Sequence, residues 1–284
     1  MGYQFRFYLL GLIIVAATLQ GCGGSKSVKS PEQDRAPARP RDVSNIPDAV
    51  PKDEPRSRYG NPESYEVFGK RYHVMQDGSG YVERGIASWY GTKFHGRRTS
   101  SGESYDMYAM TAAHKSLPLP TYVEVINLQN RNSVVVKVND RGPFHENRII
   151  DMSYAAASKL GMLDKGTALV EVRTIEPDRY QNNEVRHVSE GSGRNVRPDT
   201  VKSIEEFDEF FIQIGAFSDL SNAERLRARL GSIEDKYAKI YQAVVDNTTL
   251  YRVRIGPLTD VATADRIVSK LSNYGIDNHH IVFE

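Results

Sequence analysis

The sequence predicts a two-domain chain: a mostly β, small closed barrel over residues 85–177 and an α+β domain of βαβ-βαβ order over residues 207–284, with polar linkers before and between them. Three observations predict this. Short alternating apolar runs separated by turn residues fill the first block, a strand–turn–helix unit is repeated in the second, and proline-rich or polar stretches flank both.

Taken in order, Met1–Tyr8 carries Arg6 as its single charge, and Leu9–Leu19 is almost wholly apolar. This is a positive n-region and an h-region, shorter than the ~20 residues a bilayer span needs. It ends in Leu19-Gln20-Gly21-Cys22, which resembles a bacterial lipobox, although Gln20 is less usual there than a small residue. Residues 1–21 therefore read as a lipoprotein signal peptide and Cys22, the sole cysteine, as the lipidation site. A single cysteine also excludes an intramolecular disulfide. Several acyl chains, at ~0.8 kcal/mol per buried methylene, make a durable anchor. Gly23 rather than Asp after the cysteine points to the outer membrane.

Seven of the thirteen prolines lie between Pro31 and Pro62, so residues 22–64 read as an extended tether with too little apolar surface to offset ordering entropy. Residues 65–84, with Tyr65, Val67, Tyr72 and Val74 alternating, read as an arm on the first block. Within that block Ile86–Tyr90 is a short strand. Thr121–Leu128 and Ser133–Val138 form a hairpin around a Gln129–Asn132 turn. Arg148–Asp151 is another short strand, Ser153 caps a helix through Leu160 that Gly161 stops, and Thr167–Ile175 closes the block. Several short strands around one helix suggest a barrel.

Residues 178–206 are polar and read as a second linker. Beyond them an internal repeat at an offset of 41 aligns Gly215 with Gly256, Asp219 with Asp260, Ala223 with Ala264, Arg225 with Arg266 and Leu230 with Leu271. Each copy is a strand, a Gly turn and an amphipathic helix, followed by strands Ile240–Val245 and His280–Phe283. Lys and Arg number 37 against 36 Asp and Glu, a balance that argues against nucleic acid as a partner.

The barrel block contains Gly85-Ile-Ala-Ser-Trp-Tyr-Gly91, Ser101-Gly-Glu-Ser-Tyr-Asp106, Met110-Thr-Ala-Ala-His114, Val138-Asn-Asp-Arg-Gly-Pro-Phe144 and Arg148-Ile-Ile-Asp-Met-Ser153. This closely resembles the RlpA (rare lipoprotein A) family, whose core is a double-psi β-barrel. The last block resembles a SPOR domain, a ferredoxin-like module that binds glycan strands stripped of stem peptides. The resemblance implies a lytic transglycosylase that breaks the N-acetylmuramic acid–N-acetylglucosamine bond, closes a 1,6-anhydro ring and consumes no water. It implies no metal or organic cofactor. Its partners would be denuded peptidoglycan strands, the membrane through the lipid anchor, and division-site proteins, at the septum of the bacterial envelope.

Such chemistry needs a carboxylic acid to protonate the leaving oxygen and a group to steady oxocarbenium-like charge and take the C6 proton. Asp140, Glu103 and Asp151 are the carboxylates inside the strongest motifs, and His114 is the fourth catalytic candidate. Each has a structural alternative: turn chemistry for Asp140, a solvated loop for Glu103, a strand-end hydrogen bond for Asp151, a satisfied structural group for His114. Which aspartate donates the proton stays open. Trp89, Tyr90 and Tyr105 are candidate sugar-stacking residues or barrel core, and Gln213, Arg252 and Arg254 would line a polar sheet face for glycan. The histidines lack metal-ligand spacing. A glycan-binding scaffold that does not cut is the rival reading.

Overall fold

The computed structural model describes residues 34–145, 147–178, 180, 209–230, 238–276 and 278–283; the signal peptide, Cys22 and nearly all of the second linker lie outside them. Two strands, β1 (Ser64–Val67) and β2 (Lys70–His73), form an antiparallel hairpin in which Tyr65 pairs with Tyr72. Their rings stack at 5.4 Å, and the Tyr65 hydroxyl donates to the Lys115 carbonyl at 2.7 Å, which holds this arm on the barrel.

Six strands close the barrel: β3 (Val82–Tyr90), β4 (Thr111–His114), β5 (Thr121–Asn127), β6 (Ser133–Asp140), β7 (Arg148–Ser153) and β8 (Ala168–Thr174), in the order β3-β7-β4-β6-β5-β8. The expected β5–β6 hairpin forms, while β3–β7 and β4–β6 are parallel. Val123, Val125, Val136, Val138, Ile150, Met152, Val170 and Val172 fill the interior and are fully buried. Each contributes about 1.5–3 kcal/mol relative to an exposed position. Helix α1 (Tyr154–Lys159) starts on Ser153, whose hydroxyl accepts from Ala156 N at 3.2 Å and donates to the Ala109 carbonyl at 2.6 Å.

One expectation is corrected. From Asp34 onward the proline-rich segment is not a free tether but a strap laid along the barrel. Asp34 accepts from Gly91 N and Lys93 N at 2.8 and 3.0 Å, and Val43 is buried in the barrel core. Further on, Asp48 Oδ2 accepts from Val135 N and Ala49 N donates to Val135 O, both at 3.0 Å. The composition argument counted apolar residues alone. Here the ordering entropy is offset by carboxylates and backbone groups that satisfy polar groups of the barrel.

The second domain has β9 (Phe210–Phe217), α2 (Leu220–Arg229), β10 (Ala238–Val245), β11 (Thr248–Leu258), α3 (Val261–Ser272) and β12 (His280–Phe283), in an antiparallel sheet ordered β10-β11-β9-β12. The repeat-matched Asp219 and Asp260 are the N-caps of the two helices, accepting from Ser221 N and Thr263 N at 2.7 Å each. Ala223 and Ala264, also matched, are fully buried where the helices meet the sheet.

Candidate active site

Ala113 of β4 pairs with Asp140 of β6 on one side and with Asp151 of β7 on the other. Directly paired residues share a sheet face, so both carboxyls rise from one patch with Cα atoms two strand spacings, roughly 10 Å, apart. Asp140 ends its strand. Its Oδ1 accepts from Ser100 N at 2.8 Å, Ser100 Oγ at 2.6 Å and Arg141 N at 2.8 Å. Among the described residues Oδ2 accepts no hydrogen bond, so one oxygen fixes the carboxyl and the other is available to a ligand.

Asp151 is set differently. Burial pushes its carboxyl above the usual range, opposed by a hydrogen bond from Ser88 and by the charges of Arg148, Lys115 and His145. Arg148 in turn donates to Ser88 Oγ at 3.1 Å. Gly142, at φ +143°, stands beside this carboxyl: a Cβ there would lie 3.8 Å from Asp151 Oδ2 and 3.7 Å from Ala113 Cβ. The backbone angle favours glycine, and with glycine no side chain from this position lies against Oδ2.

Tyr90 lies within electrostatic reach of both aspartates; burial first, then Tyr105 and these carboxylates, raises its phenol well above the ordinary value. Its ring stacks on Tyr105 at 4.1 Å, and Tyr105 donates to the Tyr90 carbonyl at 2.6 Å. The hydroxyls of Tyr90 and Thr111 are buried, and neither makes a hydrogen bond of good geometry among the described residues. Tyr105 is core. Trp89, one residue out of phase with Tyr90, points to the other side of β3 and packs edge-on against Tyr154 at 5.9 Å.

Glu103 joins this region through the loop that wraps the end of β6. Its Oε2 accepts from Asn139 Nδ2 at 2.6 Å and its Oε1 from Lys137 Nζ at 2.9 Å, and it remains exposed. His114 is not brought to the aspartates. It follows Ala113 on the strand and pairs with Ile150 of the core, and burial pushes its pKa down to about 3, with Arg141 and Lys115 adding to the fall. Nδ1 accepts from Leu117 N at 3.0 Å and Ser116 N at 3.2 Å, so the neutral ring carries its proton on Nε2 and donates to Tyr81 Oη at 2.9 Å. Tyr81 passes the chain on to Glu83.

In the second domain, Lys239, Arg254, Gln213 and His280 form one register row across all four strands. Arg254 Nε donates to Gln213 Oε1 at 3.1 Å, and Gln213 Nε2 donates to His280 Nε2 at 3.2 Å. That assignment agrees with a His280 whose pKa is lowered by burial and by Arg254 and Arg252. The Arg254 guanidinium lies over Tyr241 at 5.5 Å and Phe211 at 6.0 Å. Arg252, two residues away on β11, shares the face and pairs with Tyr241. Gln213 and Arg254 are buried, each held by its neighbours in the row.

Sequence reasoning missed Ser88, Ser100, Ala113 and Arg148. Ser100 adjoins the Glu103 motif and Arg148 opens the Asp151 motif, which were the available signals; Ala113 matters through its backbone position and carries none.

Comparison with known proteins places both domains. The family described as "Lytic transglycolase" matches residues 82–172, and the SPOR domain family matches residues 208–282. The endolytic peptidoglycan transglycosylase RlpA of Vibrio cholerae is 39% identical over 276 residues, covering 97% of this chain and 96% of its own. The protein of that name in Pseudomonas aeruginosa is 38% identical over 287 residues, covering 87% and 82%. Its namesake in Neisseria meningitidis is 56% identical over 130 residues, covering 46% and 54%. A solved structure of the RlpA SPOR domain from Pseudomonas aeruginosa is 26% identical, with TM-score 0.25, covering 26% of this chain and 96% of that one. With relatives at that identity along most of its length, and both domains present in order, the chain belongs to the RlpA family.

Proposed function

We propose that this protein is an endolytic peptidoglycan lytic transglycosylase of the bacterial cell envelope, recruited to septal glycan by its SPOR domain. The arrangement that carries the chemistry is the pair Asp140 and Asp151 on either side of Ala113, one carboxyl buried and raised in pKa, the other fixed through a single oxygen. Asp151 holds its proton to higher pH than an ordinary aspartate and delivers it to the leaving O4 of N-acetylglucosamine. Asp140 Oδ2 steadies the developing positive charge at C1 of N-acetylmuramic acid and takes the C6 hydroxyl proton as C6–O closes onto C1. The aspartates then exchange that proton through solvent, and no water is consumed. Glu103, exposed beside them, holds glycan hydroxyls and adds negative potential. His114 serves as a buried structural group that fixes the 114–117 turn.

Residues 1–21 are proposed to be a cleaved signal peptide and Cys22 an acylated outer-membrane anchor, from the lipobox pattern. The face bearing Gln213, Arg252 and Arg254 is proposed to bind stripped strands, with Phe211 and Tyr241 offering aromatic surface to sugar rings.

Digestion of glycan strands with and without stem peptides, followed by mass analysis of the products, tests the reading. Expected are 1,6-anhydro ends, lighter than hydrolysis products by one water, from stripped strands; reducing ends would make it a hydrolase, and intact strands a scaffold.

A further inference from the structure

The family match begins at residue 82, yet the strap before it reaches both groups of candidate catalytic side chains. At its far end, Arg141 Nε donates to Gly60 O at 2.8 Å and Arg141 Nη2 to Asn61 Oδ1 at 3.2 Å. The rest of that guanidinium goes to the carbonyls of Leu117 at 2.6 Å and His114 at 3.1 Å. Asn61 is itself clamped: Leu119 N donates to its Oδ1 at 2.8 Å, and its Nδ2 donates to Leu119 O at 2.8 Å and Ser57 O at 3.1 Å. Gly60, at φ +80°, passes so close to Ser100 that a Cβ would lie 2.7 Å from its carbonyl oxygen. Ser100 and Arg141 supply all three donors to Asp140 Oδ1. The strap thus passes close beside one holder of Asp140, where only glycine fits, and ties down the other.

Nearer the middle, Glu54 Oε2 accepts from Lys137 Nζ at 2.9 Å, and the same ammonium donates to Glu103 Oε1 at 2.9 Å. Tyr122 donates to the other Glu54 oxygen. Burial disfavours the Lys137 charge, but its two carboxylate partners outweigh this and raise its pKa. Lys137 is therefore placed as much by the strap as by the barrel.

We propose that the strap is part of the catalytic apparatus, with Gly60 and Asn61 as positioning residues for Asp140 and Glu54 as a positioning residue for Glu103. This rests on the transglycosylase reading above. A misplacement of about 1 Å can cost on the order of a hundredfold in rate, whereas a strap that only adds stability would leave turnover per folded molecule unchanged.

The test uses the full-length chain and stripped glycan strands, with Asn61→Ala, Asp140→Asn and the double variant, rates being normalised to folded protein. Expected for Asn61→Ala is a fall in kcat of about ten- to a hundredfold with KM within about twofold, and little further effect in the Asp140→Asn background. Equal effects in both backgrounds, or an unchanged kcat, would overturn the proposal. If Asn61→Ala does not fold, Glu54→Ala paired with Glu103→Gln decides: Glu54→Ala should lower kcat/KM in the wild-type background and have little further effect beside Glu103→Gln, and equal effects in both backgrounds would overturn the proposal. An inactive wild type would count against the transglycosylase reading instead, so the two failures are told apart.

Discussion

Ser88 donates its hydroxyl hydrogen to Asp151, and this bond opposes the burial that raises the carboxyl's pKa. Removing it in Ser88→Ala should raise the Asp151 pKa further. The proton donor works in its protonated form, so activity is lost as pH rises through that pKa. The basic limb of the pH–kcat profile should therefore move to higher pH in Ser88→Ala. Arg148→Gln, which removes a charge that lowers the same pKa, should move it the same way. A basic limb that stays put in both variants would take Asp151 out of the donor role.

Asp140→Asn keeps the shape of the side chain and leaves Oδ1 able to accept from Ser100 and Arg141. The rate on stripped strands should fall by about a hundred- to ten-thousand-fold, the usual contribution of acid–base groups. Strand binding and Tm should barely change. Steady-state assays beside a melting curve check this, and an unchanged rate would make Asp140 structural.

His114 predicts a stability effect. Its folded pKa, about 3, lies below the ordinary 6.5 because burial disfavours the charged ring. The unfolded chain therefore binds the extra proton first as pH falls. The stability this group leaves intact above about pH 6.5 should decline toward pH 3, by at most about 1.4 kcal/mol per unit. Denaturant unfolding of the wild type and His114→Gln from pH 7 to 4 should show a flatter curve for the variant, with kcat per folded molecule at pH 7 within about tenfold. A loss of kcat on the scale of Asp140→Asn would return His114 to the chemistry.

Arg254→Ala removes the cation over Tyr241 and Phe211 and the partner of Gln213. The fragment 207–284 carrying it should stay folded by circular dichroism yet bind stripped sacculi at least about tenfold more weakly, since a hydrogen bond from a charged group to a glycan hydroxyl is worth about 1.5–3 kcal/mol. The wild-type fragment should retain most of its binding at moderate salt, because stripped glycan has no row of phosphates whose counterions are released on binding. Unchanged binding by the variant would move the glycan site elsewhere.

Much of the fold was legible where one residue does one local job. Ser153 caps its helix, Asp219 and Asp260 cap theirs at the repeat offset, and the alternating runs around Gln129–Asn132 pair as a hairpin. Strand β4 was not legible: Thr111–His114 is short, mostly small and without alternation, and is a strand because β6 and β7 flank it. The same strand separates the site residues. Motif membership joins His114 to the aspartates, but the two-residue period of a strand turns it to the opposite side from Ala113. The strap was hidden because composition records how much a segment can bury, not which polar groups it can satisfy.

The strap also shortens the leash. With Cys22 acylated as proposed, about twelve residues separate the membrane from Asp34, the first residue fixed to the barrel. At 3.3–3.6 Å per residue that is a reach of roughly 40 Å, where a tether free to residue 64 would have allowed roughly 140–150 Å. Were Cys22 the anchor, the barrel would be held within that reach plus its own width, so the spacing between membrane and wall would itself help decide which strands are within range.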